Sequence, residues 1–354
     1  MSESGRNGRP DVSVLVPVLN EESCIEQTVA TMCAQELDGR TFELVFADGR
    51  SDDRTREILE RIAERDPRVK VVDNPARTTA AGLNAALAAA RGRYVARMDA
   101  HSFFPSRYLA AGIERLERDD DGVAWVAGPV VPRAHGGWSG AVALALGTRL
   151  GVGGSGKWRL NGEGDDAVPE ERELDTGVFA GVWKRETVEE IGGWDPDWPV
   201  NQDSEMAARV IDRGRRIVCR AEMAAEYLPR STPGALWRQY WRHGFYRAKT
   251  NRRHPGSLRR THLLPPAVVV TAALTLAPSK PVRRAALAGL GVYGAALAAT
   301  TAGAARHGAP RDVARVPAAL AIMHGAWGMG FLAGVARFGV SPAALARLVR
   351  GRRA

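Results

Sequence analysis

Phe42-Glu-Leu-Val-Phe-Ala47 runs directly into Asp48-Gly-Arg-Ser-Asp-Asp53, so an apolar strand pattern empties into a turn carrying three carboxylates. A helical pattern opens at once near Arg54, and strand, tight turn and helix together form the unit from which open α/β sheets are assembled. The same alternation extends in both directions. Val12–Val18, Val69–Val72, Tyr94–Met98 and Trp125–Val131 read as further strands, bounded by Asn, Asp, Gly or Pro. Glu22–Ala34, Arg54–Arg65, Ala80–Ala90 and Pro105–Arg118 read as the helices between them. Strands separated by helices of this length imply βαβ units and a mostly parallel sheet, in which ligands bind beyond the carboxyl ends of the strands. From Ala134 to Asp175 the chain is Gly-rich and irregular. Order resumes with Val178–Lys184, a helix at Asp203–Asp212, a short strand at Ile217–Cys219 and an aromatic, basic helix at Gly234–Lys249.

Beyond Thr261 the composition changes. Leu263–Ala277, Ala285–Ala305 and Val316–Ala336 contain no Asp, Glu, Lys or Arg, and the latter two are 21 residues each. That is enough to cross about 30 Å of hydrocarbon, whereas the first, at 15, is short and is tilted, re-entrant or extended by its neighbours. Buried helices of a soluble domain are the alternative. Arginines flank the stretches, Arg252, Arg253, Arg259 and Arg260 before and Arg347, Arg350, Arg352 and Arg353 after, as interfacial anchors do. The charge of the 354-residue chain is +9, but Arg252–Ala354 carries 15 Lys/Arg against one acid, Asp312, for +14, which leaves −5 to residues 1–251. The basic pI of about 9.9 therefore belongs to a membrane-associated tail, and a nucleic-acid-binding main domain is excluded by charge. An apolar content of 45% excludes disorder. Cys24, Cys33 and Cys219 are too few for a disulfide framework or a zinc site. The expected organisation is a flexible tail at 1–10, a main domain at 11–250, a basic segment at 251–262, a membrane region of two or three helices at 263–338 and a basic tail at 339–354.

Chemistry collects at the strand ends. The first strand leads into Pro17-Val-Leu-Asn20-Glu21-Glu22, the second into the 48–53 turn, and the fourth into Asp99-Ala-His101. Buried carboxylates are costly without a donor, cation or metal. One of Asp52 and Asp53 is read as a helix cap, whereas Asp48 and Asp99 follow apolar runs directly and read as functional.

These strings resemble the family 2 glycosyltransferases, which have the GT-A fold. Pro17-x-x-Asn20-Glu21, Asp48-Gly-x-Ser-x-Asp53, Asp99-x-His101, Gly192-Gly-Trp-Asp195, Gln202-Asp203-Ser-Glu205 and Gln239-x-x-Arg242 carry the likeness, over roughly residues 12–250. Asn74-Pro-Ala-Arg77-Thr-Thr-Ala-Ala-Gly82-Leu-Asn84 and Arg97-Met-Asp99-Ala-His101 further resemble the succinoglycan-type exopolysaccharide glucosyltransferases. The resemblance implies an α/β nucleotide-sugar-binding domain followed by transmembrane helices. It implies that Pro17, Asn20, Glu21, Asp53, Arg77 and Asn84 surround the nucleotide and that Asp48 accepts the uracil N3–H. Asp99, with His101, would hold a divalent metal, Mn2+ or Mg2+. Arg77, Gln239 and Arg242 would lie near the diphosphate, and Asp203 would be the general base.

The sequence departs from the family pattern twice. The metal motif usually ends in Asp where this chain has His101, which favours Mn2+ somewhat or orients a phosphate. The base motif usually reads Glu-Asp, and here Gln202 precedes Asp203. The implied function is inverting transfer of a hexose, glucose foremost, from a UDP-sugar to a lipid-linked saccharide in exopolysaccharide or envelope glycan synthesis. The enzyme would sit in the inner (plasma) membrane as a multi-pass protein with its catalytic domain cytoplasmic. Direct transfer to polyprenyl phosphate is the alternative acceptor chemistry. A non-catalytic sugar-nucleotide-binding component of polysaccharide export is the alternative class, against which Asp99 and Asp203 both stand. Gly151-Val-Gly-Gly-Ser-Gly156-Lys157 nearly spells a phosphate-binding loop, but Trp158 takes the hydroxyl position and the preceding residues do not read as a strand.

Overall fold

The computed structural model describes residues 8–118, 121–161, 163 and 169–350, and not the side chains of 347–350. The first seven residues of the expected N-terminal tail, and Arg352 and Arg353 of the basic C-terminal tail, lie outside the described residues. The first part of the chain forms β1 (Val12–Val18), α1 (Ile25–Cys33), β2 (Phe42–Asp48), α2 (Thr55–Ala63), β3 (Val69–Asp73), α3 (Thr79–Ala89), β4 (Tyr94–Arg97), β5 (Ser102–Phe103), α4 (Tyr108–Glu117), β6 (Val123–Ala127) and β7 (Val130–Pro132). Then follow α5 (Ser139–Leu146), α6 (Arg149–Val152), β8 (Glu171–Leu174), β9 (Gly181–Lys184), α7 (Arg185–Glu190), α8 (Gln202–Asp212), β10 (Arg216–Arg220) and β11 (Ala225–Tyr227). The remainder is helical: α9 (Pro233–Arg253), α10 (Leu264–Leu274), α11 (Lys280–Ala304), α12 (Pro310–Val313), α13 (Val316–Phe338) and α14 (Pro342–Arg350). Residues 1–131 and 165–227 form one compact unit, and 132–164 and 228–354 a second.

The first unit is an α/β sheet of eight strands in the order β3-β2-β1-β4-β9-β6-β10-β8. The contiguous half β3-β2-β1-β4 is parallel throughout, and β6 and β10 are also parallel, while β9 runs antiparallel between β4 and β6. Strands buried on both faces need no polar alternation. Val12, Val14, Leu15, Val16, Leu44 and Phe46 are all fully buried, each contributing roughly 2 kcal/mol of transfer free energy. Because β2, β1 and β4 are adjacent and parallel, their carboxyl ends open on one edge. The Trp125–Val131 run divides in two at Gly128-Pro129. A Cβ on Gly128 would fall 1.6 Å from the Met223 carbonyl oxygen, so the strand breaks where another segment crosses it backbone to backbone.

The second unit is built around α13. Gly244 of α9 lies against the backbone of Trp327 and Phe331, Gly330 against Trp241, and Gly334 against Phe245, so the two helices run in the same direction in backbone contact. Thr232 caps α9 by accepting the Ala235 N–H at 3.3 Å, with Pro233 at the first helical position, where it has no N–H to satisfy. Among the described residues, two segments are long and apolar enough to cross a membrane: Lys280–Ala304, 25 residues, and Pro310–Phe338, 29 residues. They differ in surroundings, since the apolar window is 6% buried in the first and 50% buried in the second. The stretch expected at 263–277 contracts to α10, 11 residues long and roughly 16 Å at helical rise.

Candidate active site

Asp48 ends β2 in register with Val18 of β1 and Asp73 of β3, and its side chain is fully buried. The Ser51 hydroxyl donates to its Oδ1 at 2.6 Å, and Arg56 stands 3.8 Å from Oδ2. Those donors offset the cost of burying the charge.

The loops after β1 and β2 are laced together. Asn20 takes a left-handed conformation at φ +58, which asparagine tolerates better than most residues. Its Oδ1 accepts the Asp52 N–H at 2.8 Å, and its own N–H donates to Ser51 Oγ at 3.0 Å. The Glu21 N–H donates to Thr55 Oγ1 at 2.8 Å. Asp53 accepts the Glu22 N–H at 3.1 Å and the Thr55 N–H at 3.0 Å. Asp53 is thus the capping member of the Asp52/Asp53 pair and ties the loop after β1 to the start of α2. Desolvation pushes the Asp53 carboxyl up, but the bonds from Thr55 and Glu22 outweigh it and hold the group below the usual range. Arg77, at φ +56, reaches across from the loop after β3, donating to Asp52 Oδ2 and the Arg50 carbonyl, each at 2.8 Å. Pro17 packs beside Gly82, where an added Cβ would also meet Asn74 Nδ2 at 2.7 Å. Asn74 itself donates its N–H to the Asp48 carbonyl at 2.8 Å, and its buried side-chain oxygen has no hydrogen-bond partner among the described residues.

Two residues past β4, Asp99 receives a bidentate guanidinium: Arg97 Nε to Oδ1 at 2.8 Å and Nη2 to Oδ2 at 2.9 Å. The side chains are 4% and 12% exposed, respectively. His101 meets Glu21 through Nδ1 to Oε1 at 3.3 Å. Cys24 lies against Glu21, and burial, then that carboxylate, pushes its thiol up to about 11, away from the thiolate form. A bidentate guanidinium uses one lone-pair position on each Asp99 oxygen and leaves the other. A carboxylate with spare lone pairs suits a hard divalent cation, and an imidazole two residues further along the chain is a ligand type that a borderline one also accepts. No group of three His, Cys, Asp or Glu gathers to hold such an ion among the described residues. Further ligands would have to come from water or from a bound diphosphate.

Asp203 lies in the first turn of α8, after Asn201 in a left-handed conformation at φ +65. The positive end of the helix favours the ionised carboxylate there. Its placement depends on a network that sequence reasoning missed. Glu205 is fully buried and pairs with Arg209 at 2.7 Å. Arg209 also donates to the carbonyls of Ile191 and Gly193. The next residue, Trp194, is held by Asn84, whose Oδ1 accepts the Trp194 N–H at 3.0 Å and whose Nδ2 donates to the Trp194 carbonyl at 2.7 Å. Each end of the Asn84 amide therefore holds a backbone group of Trp194, which gives this residue a structural role. Gln239 and Arg242 lie one turn apart on α9, away from the face that Trp241, Gly244 and Phe245 turn to α13.

A sheet whose parallel strand ends carry acidic turns, with a carboxylate on a later helix start, defines an α/β domain of the open-sheet class with its polar groups gathered at the strand ends. The model of Glycosyl transferase family 2 matches residues 13–152. The succinoglycan biosynthesis protein ExoA of Rhizobium meliloti is 34% identical over 261 residues, 72% of this chain and 74% of that protein. The β-monoglucosyldiacylglycerol synthase of Trichormus variabilis is 24% identical over 249 residues, 67% of this chain but only 49% of the relative. Among solved structures, the mannosyltransferase PcManGT from Pyrobaculum calidifontis, in complex with GDP-Man and Mn2+, superposes with a TM-score of 0.57 at 23% identity, covering 97% of this chain and 88% of that one. The chain belongs to glycosyltransferase family 2, has the GT-A fold, and is a glycosyltransferase.

Proposed function

We propose that this enzyme is a membrane-bound, inverting hexosyltransferase that moves a hexose, glucose foremost, from a UDP-sugar to a lipid-linked saccharide in exopolysaccharide or envelope glycan synthesis. The observation that carries the reading is the gathering of buried Asp48 and Asp99 at one sheet edge, in a chain that also exposes the apolar helix α11. By name, the monoglucosyldiacylglycerol synthase relative supports glucose and a lipid-borne acceptor, and the succinoglycan biosynthesis protein ExoA supports exopolysaccharide synthesis.

Asp48 would accept the uracil N3–H, with Pro17, Asn20, Glu21 and Arg77 around the nucleotide. Asp99 and His101 would hold the divalent cation, which when bound stabilises the charge growing on the departing diphosphate. Gln239 and Arg242 offer an amide and a guanidinium for the same diphosphate. Asp203 would remove the acceptor hydroxyl proton as that oxygen attacks the anomeric carbon from the opposite face. One base and no covalent nucleophile give inversion. Sugar nucleotides are cytosolic, so the catalytic unit would face the cytoplasm, with the enzyme held in the inner membrane through α11 and α13.

The test is nucleotide release from a panel of UDP- and GDP-sugars by the full-length protein in nanodiscs, with membrane extract as acceptor source. Release dependent on both a UDP-hexose and the extract supports the reading. Release with GDP-sugars alone, or with soluble acceptors equally well, contradicts it.

A further inference from the structure

The reaction outlined above leaves Arg97 without a task, although this arginine is nearly as buried as the hydrophobic core and closes its guanidinium on Asp99 through two hydrogen bonds. It occupies the last position of β4, in register with Leu15 of β1 and Gly181 of β9, so the sheet fixes its backbone on both sides. Nothing in its local pattern asks for a cation inside a strand flanked by Ala96 and Met98, both fully buried. An isolated buried guanidinium is costly, and it persists here because Asp99 meets it fork to fork.

We infer that Arg97 is a positioning residue that fixes the Asp99 carboxylate and makes divalent-cation binding there conditional on a nucleotide diphosphate. The inference rests on the reading of Asp99 as a metal ligand. Its physical basis is charge. Arg97 and Asp99 cancel, whereas Glu21, in contact with the His101 ring at 3.3 Å, is held away from the Asp99 fork by that contact. A divalent cation approaching the spare lone pairs of Asp99 therefore meets a carboxylate whose charge is compensated, and binds weakly. A diphosphate supplies the missing negative charge, so cation and nucleotide bind together. At the same time the fork fixes the plane of the carboxylate, as outer partners of metal ligands do. A carboxylate free of Arg97 would bind the cation without the nucleotide, and would present it in no fixed orientation.

The experiment is titration of Mn2+ into full-length protein in nanodiscs, following free Mn2+ by electron paramagnetic resonance, with and without UDP. Wild type, Arg97→Gln and Arg97→Lys are compared. Glutamine keeps a hydrogen-bond donor and removes the charge; lysine keeps the charge and loses the fork. In wild type, UDP is expected to tighten Mn2+ binding roughly tenfold or more, the scale of outer-partner effects on metal affinity. Arg97→Gln should bind Mn2+ alone about tenfold more tightly than wild type and gain little from UDP. Arg97→Lys should remain as dependent on UDP as wild type. Unchanged behaviour in Arg97→Gln, or equal weakening of Mn2+ binding in both variants, overturns the inference and leaves Arg97 a packing residue. If Arg97→Gln does not fold, the lysine variant decides, because tight Mn2+ binding without UDP in that variant contradicts a role for charge. Wild type that binds UDP with no response to Mn2+ overturns the metal role of Asp99 as well, and is seen before any variant is measured.

Discussion

Asn84 on α3 closes both ends of its side-chain amide on the backbone of Trp194, 110 residues further along the chain. Trp194 follows the Gly193 carbonyl that Arg209 of α8 grips, so the pair anchors one end of a chain of contacts leading to the helix that carries Asp203. Replacement by leucine, similar in size, leaves both backbone groups without those partners. Asn84→Leu should therefore cost about 2 kcal/mol of stability, within the range for stranded backbone groups. It should lower kcat more than donor KM rises. Thermal unfolding with steady-state kinetics checks this, and a pure rise in donor KM would return Asn84 to the nucleotide pocket.

Asp203→Asn keeps the shape of the helix start and removes only the proton acceptor. Donor affinity should stay near wild type while kcat falls about 10²-fold or more, the usual scale for a positioned base. Kinetics in UDP-sugar checks it. A large rise in donor KM with kcat intact would make Asp203 a binding residue.

Asp99→Asn has two consequences, because Asp99 is both a proposed ligand and the counter-charge of Arg97. Calorimetry should show loss of Mn2+-dependent UDP binding. Unfolding should show a loss of about 3 kcal/mol, as when one member of a buried pair is removed. UDP binding that stays Mn2+-sensitive in the variant would remove Asp99 from the metal role.

Asp66, in the turn between α2 and β3, is held down to about 2, first by the Arg68 guanidinium beside it. Its folded value lies below the unfolded value near 3.9, so the pair stabilises the fold fully above about pH 4 and loses that contribution as pH falls toward 2. Asp66→Asn should be less stable by about 1 kcal/mol at pH 7, allowing for the exposed Arg68 side chain, with the difference shrinking between pH 4 and 2. Unfolding of wild type and variant across that range measures it, and a constant difference would refute the linkage.

Much of this was legible because local pattern and tertiary demand agreed. The apolar run Val12–Val18 is a strand over the same residues, since a strand buried on both faces needs only continuous apolar side chains. Asp48 stood out for the converse reason, as a charge directly after such a run. What escaped the sequence depends on partners far away in the chain. The break at Gly128 is set by Met223, and the role of Asn84 by Trp194. Arg97 stood in a string that carries the family resemblance, but its pairing with Asp99 gave no signal, for a buried ion pair two residues apart looks in sequence like any two charges.

The membrane topology follows from the length of α10. At 11 residues it is too short to cross the hydrocarbon, so in the proposed membrane-bound enzyme α11 and α13 would be the two spans, leaving and returning on one side. A cysteine introduced as Ala343→Cys, with Cys24, Cys33 and Cys219 changed to serine, should be protected from an impermeant reagent in intact cells and labelled after lysis. Labelling in intact cells would mean three crossings.

Transfer of labelled hexose into the lipid-extractable fraction is the most direct measurement of the whole account. Full-length wild type with UDP-[14C]glucose, Mn2+ and membrane extract should load label into organic solvent, and mild acid should release it as saccharide. Asp203→Asn should lower that signal about 10²-fold or more. UDP-glucose turnover whose label stays entirely in water-soluble product, or an Asp203→Asn variant as active as wild type, would contradict it.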